Sequence, residues 1–279
     1  MVRDVAVSYS PIDGKLARTM VALAARPGEL LEAYRNGAGS RYVTPLKLFV
    51  AMTAMFLAVM NFSGTTLYQS TWKAIAGQTP TAVFEPLLNE VIVRGAIYTE
   101  RWLQPQVEAP VDASVVAAMQ RAGDAATDPL ARAAFRLEAT GVRTEELANQ
   151  RLSAWLPNVI WLLMPLHALL LAPLFGRRRL FLEHVIFAMW AHAVLFMAMM
   201  AVALANSRDL NLPGWLVVAP YQAYFTIAAA RYYAKRPLSA LWRGTVHTTA
   251  YCLLVLLPVS MAIYVTGVDW TSFTAWMLA

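Results

Sequence analysis

The feature that most constrains this chain is a set of long apolar stretches. Five segments are long and apolar enough to cross a hydrocarbon core of about 30 Å, a distance that takes roughly 20 helical residues. They lie near Leu46–Leu67 ("LKLFVAMTAMFLAVMNFSGTTL"), Trp155–Phe175 ("WLPNVIWLLMPLHALLLAPLF"), His184–Ala205, Trp215–Tyr233 and Val246–Thr266. In lipid, backbone polar groups have to be satisfied within the segment, so stretches of this kind fold as helices. The expected class is an all-α integral membrane protein. It has a five-span helical bundle, amphipathic N-terminal helices and a small, mostly helical extracytoplasmic domain in the first loop. The expected divisions are 1–45 (a cytoplasmic interfacial segment), 46–67 (the first span), 68–153 (the loop domain) and 154–279 (a four-span bundle).

The balance of residue types supports this class. The chain is 58% hydrophobic and 14% charged, where soluble domains average about 45–50% and about 25%. Nine tryptophans and eleven tyrosines suit anchoring at membrane interfaces. The single cysteine, Cys252, excludes an intrachain disulfide and a thiolate metal site built from one chain. The N-terminus "MVRDVAVSYSPIDGKL" lacks the continuous apolar core of a secretory signal, so the first span is expected to act as the targeting signal.

The formal net charge of +6 maps onto topology rather than onto a nucleic-acid partner. With the N-terminus inside, the cytoplasmic parts are residues 1–47, 176–183 and 231–243, which carry seven, three and four Lys/Arg against five acids. The short outer loop 206–214 has one arginine, Arg208, beside Asp209. The long loop 68–153 weighs little, because long loops cross largely regardless of charge. The expected placement is a bacterial inner membrane, with the N-terminus cytoplasmic and the C-terminus extracytoplasmic.

Before the first span, Leu16, Met20, Leu23, Leu30, Leu31 and Tyr34 recur near helical spacing, with Lys15, Arg18, Arg26 and Arg35 between them. Two readings fit: a helix pair lying on the inner membrane surface, broken at Pro27-Gly28, or a helical hairpin packed against the cytoplasmic loops. In the long loop, "EPLLNEVIVRGAIYTERWL" and "DPLARAAFRLEATGVRTEELANQRL" carry helical periodicity. The loop contains no histidine, Gly-rich phosphate loop or Ser-His-Asp set. Proline recurs in the spans, at Pro157, Pro165, Pro173, Pro220 and Pro258, and each removes a backbone donor and favours a kink.

Ionisable groups inside a span are costly and raise a functional hypothesis by default. In "FGRRRLFLEHVIFAMWAH", Glu183 and His192 are nine residues apart, about 180° around a helix axis. His184 and His192 are separated by roughly 12 Å of rise, so one ion cannot take both. The stretch alone is not a chelating motif. Counting inward from the turns, however, sets His167, His192, Gln222 and Tyr251 at one depth, with Thr53 nearby. Such a polar layer suits a metal, a proton or a polar substrate, or simply hydrogen-bonds the helices together. No cofactor is expected beyond the metal that His167 and His192 leave open.

A second cluster gathers at the cytoplasmic face: Arg41, Arg177, Arg178, Arg179, Glu183, His184, Arg231, Lys235, Arg236 and Arg243. Arginine forks suit phosphate, so Arg41, Arg177, Arg178, Arg179, Arg231 and Arg243 are candidates for binding anionic lipid headgroups. The topology rule alone also explains every one of these bases.

Two of these stretches resemble a known family. "RPGELLEAYRNGAGSRYVTPLKLF" carries Pro27, Gly28, Tyr34, Gly37, Arg41, Tyr42 and Pro45; "FGRRRLFLEHVIFAMWAHAVLF" carries Arg178, Glu183, His184, Phe187 and His192. Together they resemble a bacterial multi-pass membrane group known only as a domain of unknown function. The resemblance implies architecture and a candidate surface, not a reaction. Many members look to carry an N-terminal Cys-x-x-Cys zinc ribbon, which this sequence lacks.

The leading functional expectation is a binding, assembly or transport-related membrane component, with membrane lipids and a homo-oligomer or another membrane protein as partners. One alternative is an intramembrane enzyme acting on lipid or peptide through Glu183, His184 and His192. The sequence leans against it, because Glu-Glu-x-x-x-Arg, His-Glu-x-x-His and Gly-x-Ser-x-Gly are all absent. The other alternative is a dimeric transporter of a small molecule or ion.

Overall fold

The structure, a computed structural model, describes residues 11–26, 28–37, 39–88, 90–176 and 179–266. The chain divides into two compact units, one of residues 1–63 with 158–257 and one of residues 64–157 with 258–279.

The first unit is helical. It holds α1 (Pro11–Ala25), α2 (Glu29–Arg35), α3 (Pro45–Phe62), α6 (Met164–Phe175), α7 (Phe181–Asn206), α8 (Val218–Tyr232) and α9 (Pro237–Tyr251). Among the described residues, three helical stretches are long and apolar enough to cross a membrane: Pro45–Phe62, Phe181–Asn206 and Pro237–Val265. A fourth is reached if α5 (Pro129–Ile160) and α6 form one broken span. α8 has fifteen residues and falls short of that length.

Proline sets several boundaries. Pro45 and Pro237 open α3 and α9, where a missing N–H is harmless because the first turn has no partner for it. Pro165 cannot return a hydrogen bond to Trp161, and the helix breaks over Trp161–Leu163 before α6 begins. Pro258 cannot bond back to Leu254, and there the chain widens into a π turn, Cys252–Leu256, before α10 (Leu257–Val265). The second expected span is therefore interrupted by irregular backbone rather than merely kinked.

α3 packs along α7 through aromatic rings: Phe56 stacks on Phe196 at 4.7 Å between centroids. α8 and α9 approach closely at Gly244, where a Cβ would stand 3.0 Å from the Phe225 ring. The α1–α2 pair turns its apolar face onto protein, with Leu23, Leu30 and Leu31 all buried. Tyr34 donates from its hydroxyl to the Val43 carbonyl at 2.8 Å and meets the Trp190 ring at 5.8 Å. Burial raises the Tyr34 phenol above its usual pKa.

The second unit departs from the expectation of a mostly helical loop domain. β1 (Thr65–Ala74) pairs antiparallel with β4 (Ala96–Pro105), in register from Thr65 opposite Pro105 to Ala74 opposite Ala96. β2 (Thr81–Glu85) pairs antiparallel with β3 (Glu90–Arg94). Residue type overrides the weak helical period here. Val91, Ile92 and Val93, followed by Ile97, Tyr98 and Thr99, favour a pleated surface. Gly95 takes a φ of 74°, close against the backbone of Thr79. The end of the expected first span, "TTL" (Thr65–Leu67), likewise belongs to β1, not to the α3 helix.

α4 (Ala113–Ala125) begins at Asp112, whose carboxylate accepts from the backbone N–H of Ser114 at 2.9 Å. Val115, Val116 and Met119 on α4 pack with Ala139 and Val142 on α5 against Trp72, Ala82 and Val93. Asn149 on α5 then docks on β1. It accepts from Ser70 N–H at 3.0 Å and donates to the Ser70 carbonyl at 2.8 Å, with both residues buried.

Candidate functional site

Three of the four histidines meet inside the first unit. His167 on α6, His192 on α7 and His247 on α9 are all buried, His167 being 3% exposed, His192 1% and His247 0%. His167 stands in the middle of the row, its ring centroid 4.8 Å from that of His192 and 4.3 Å from that of His247. Tyr251, one turn beyond His247 and on the same face of α9, lies 5.0 Å from His167. Phe225 of α8 stacks on His247 at 5.5 Å, closing that side.

Each element aims its ring for a local reason. The break before Pro165 starts α6 afresh at Met164, three residues ahead of His167. α7 runs without interruption from Phe181 to Asn206, with His192 near its middle. The π turn begins directly after Tyr251, so the change in helical pitch falls at the edge of the cluster; such single π turns recur at functional sites.

The hydrogen bonds fix which nitrogens are protonated. His192 Nδ1 lies 2.9 Å from the Ala188 carbonyl and His247 Nε2 lies 3.1 Å from the His167 carbonyl. A carbonyl only accepts, so both of those nitrogens carry the proton. The opposite nitrogens, His192 Nε2 and His247 Nδ1, are then bare lone pairs. Both are buried without a partner, as are His167 Nδ1 and the Tyr251 hydroxyl. Buried polar atoms are nearly always satisfied, so four such atoms in one cluster mark it out. Among the described residues, no three or more His, Cys, Asp or Glu side chains stand as a ready-made metal cage.

The structure thus brings together His167, His192 and Tyr251 from the expected polar layer. Gln222 reaches its edge, accepting from the Thr248 hydroxyl at 3.0 Å. Thr53 lies on α3 between Phe49, whose ring meets His192 at 6.2 Å, and Phe56; its hydroxyl is buried without a partner. His247 was missing from the expected layer. The signal was present in its position four residues before Tyr251, which puts both on one helical face.

Glu183 and His184 belong to a different place. Arg179 donates to Glu183 at 2.7 Å, and Glu183 accepts from the Leu180 backbone N–H at 3.3 Å, closing the first turn of α7. His184 uses both ring nitrogens, Nδ1 with the Tyr233 hydroxyl at 2.9 Å and Nε2 with the Gly176 carbonyl at 3.3 Å. Arg179 also lies over the Tyr233 ring, 5.3 Å from its centroid. His192 makes its contacts with Phe49, His167, Phe196 and Tyr251 instead. The three residues proposed for intramembrane catalysis are not gathered into one constellation.

Of the basic cluster, Arg243 donates to the Leu174 carbonyl and to the Ser239 hydroxyl. Arg231 lays its aliphatic stem under Gly28, and Arg41 is exposed. Arg177 and Arg178 lie outside the described residues. These contacts put the starts of α3, α7 and α9 and the ends of α6 and α8 at one end of the bundle, where the basic residues concentrate.

Residues 13–57 match a family described as "Protein of unknown function (DUF3667)". The match covers α2 and most of α1 and α3, and ends well before His167, His192 and His247 in the sequence. No curated protein and no solved structure matches the chain.

Proposed function

We propose that the chain is a five-span protein of the bacterial inner membrane, N-terminus inside and C-terminus outside. It acts as a binding, assembly or transport-related component whose cytoplasmic end holds anionic lipid headgroups. α8 with the short helical turn Gly214–Val217 supplies the remaining span, and α5–α6 the broken one.

The observation that carries this reading is the unequal charge of the two ends of the helical unit. At one end stand Arg41, Lys47, Arg179, Arg231, Lys235, Arg236 and Arg243, with Glu29, Glu32 and Glu183 as the acids. The turn between α7 and α8 at the other end, residues 207–217, has only Arg208 and Asp209. Basic residues next to an anionic leaflet gain about 1 kcal/mol each.

Native mass spectrometry of detergent-solubilised protein tests the lipid reading. Anionic phospholipid should co-purify with the wild type. The Arg41→Gln, Arg177→Gln, Arg178→Gln triple variant should lose most of it. Retention unchanged in the triple variant would refute headgroup binding at this face.

A further inference from the structure

We propose that the second unit binds a quaternary ammonium group, of the kind a lipid headgroup or a small solute carries, on the open face of its β1–β4 hairpin. The site draws on none of the basic residues of the first unit. Side chains alternate along a strand, and directly opposed residues share a face. Tyr68 stands opposite Trp102, Ser70 opposite Glu100 and Trp72 opposite Tyr98, so these six line one face. The rings form two tilted pairs, Tyr68 with Trp102 at 4.6 Å and Trp72 with Tyr98 at 5.2 Å between centroids. The Tyr68 and Tyr98 side chains hydrogen-bond each other, and Tyr98 also bonds Ser70, which draws the two pairs together at the Ser70–Glu100 step. The face is open: Trp102 is 51% exposed and Tyr98 40%, and Glu100 is exposed as well.

Two carboxylates meet these rings. Glu145 of α5 accepts from Trp72 Nε1 at 3.0 Å, and Glu100 lies on the face itself. Burial holds the Tyr68 and Tyr98 phenols above their usual pKa, and Glu100 and Glu145 both push them further the same way. The phenols are therefore neutral, and the carboxylates set the charge of the face. Glu145 also feels Glu100 and Glu138, like charges whose repulsion a bound cation relieves. Aromatic faces select which cation: their quadrupoles attract large, weakly hydrated ions, quaternary ammonium above all. Position points to the source. Tyr264 of α10 is within electrostatic reach of Glu145 and Tyr98. α10 closes the apolar stretch Pro237–Val265, so the face lies beside the end of a candidate span, at the level of lipid headgroups.

The test uses full-length protein in a maltoside detergent and saturation-transfer NMR. The probes are choline, monomeric dihexanoylphosphatidylcholine and dimethylbutanol, the uncharged isostere of choline. Both ammonium probes should receive saturation from the protein, and dimethylbutanol should not displace them. Glu100→Gln and Trp102→Ala, both at exposed positions, should each weaken choline binding about fivefold. Glu108→Gln, an exposed acid beyond β4, should leave it unchanged. Tighter binding of the phosphatidylcholine than of choline assigns the site to a lipid headgroup, and equal binding assigns it to a free solute. No saturation of either ammonium probe would overturn the site. So would displacement of choline by an equal concentration of dimethylbutanol, or undiminished binding in the Glu100→Gln, Trp102→Ala double variant. The comparison of choline with dimethylbutanol on the wild type decides the question even if a variant fails to fold.

Discussion

His247 donates from Nε2 to the backbone carbonyl of His167 at 3.1 Å, and the two rings stand 4.3 Å apart, tying α9 to α6. The same face of α9 presents the Tyr251 hydroxyl with no partner. The two groups should respond to mutation in opposite ways. His247→Leu removes an interhelical hydrogen bond and should destabilise the chain by about 0.6–1 kcal/mol. Tyr251→Phe removes an unsatisfied buried hydroxyl and should be neutral or stabilising. Unfolding of the full chain in mixed micelles, without added metal, measures both.

Gly28 makes the docking of the N-terminal hairpin sensitive to a single methyl. Its φ is 85°, a left-handed conformation, and an added Cβ would stand 3.0 Å from Arg231 Cδ. Gly37 has a φ of 76° with open space around it. Gly37→Ala should therefore cost only the backbone strain, about 1 kcal/mol. Gly28→Ala should cost more and expose Leu23, Leu30 and Leu31 to limited proteolysis. Adding Arg231→Gly to Gly28→Ala removes both Arg231 atoms that a Cβ would meet, Cδ at 3.0 Å and Cβ at 3.1 Å, and should relieve that clash but not the strain. Equal protection of the Gly28→Ala and Gly37→Ala chains would contradict the close packing described for Gly28.

Asp112 gives the second unit a pH-dependent helix start. Hydrogen bonds from Ser114 hold its carboxyl below the usual carboxylate pKa. A lowered folded-state pKa contributes stability that is fully present above the unfolded value of about 3.9. It is lost as pH falls through the folded value. Asp112→Ala should destabilise α4 by about 1 kcal/mol at neutral pH. Hydrogen exchange over Ala113–Ala125 should then be about fivefold faster at pH 7, with the difference shrinking toward pH 3. A gap that persists undiminished at pH 3 would contradict the carboxylate's role.

Depth from the basic turns was legible in the sequence because a helix rises uniformly. That regularity is why His167, His192 and Tyr251, from three different segments, could be assigned to one level. His247 escaped because the count took one residue per span and ignored its i,i+4 neighbour. The strands were hidden for another reason. Val91–Val93 form a run too short to show a period, and Glu85 to Leu103 reads passably as helix until Gly95 and the β-branched residues are weighed. Glu183 finds its partners, Arg179 and the Leu180 N–H, within four residues, whereas those of His184 were not legible: they are Gly176 and Tyr233, brought close only by the packing of α6, α7 and α8.

The orientation of the bundle is the claim on which the functional account rests, and single-cysteine labelling tests it most directly. Cys252 is the only native cysteine, so Cys252→Ser gives a clean background for Thr127→Cys on the second unit and Arg236→Cys at the start of α9. Intact spheroplasts treated with a membrane-impermeant maleimide should label the Thr127→Cys protein at once, and the Arg236→Cys protein only after lysis. Labelling of Arg236→Cys in intact spheroplasts, with Thr127→Cys protected, would contradict the account.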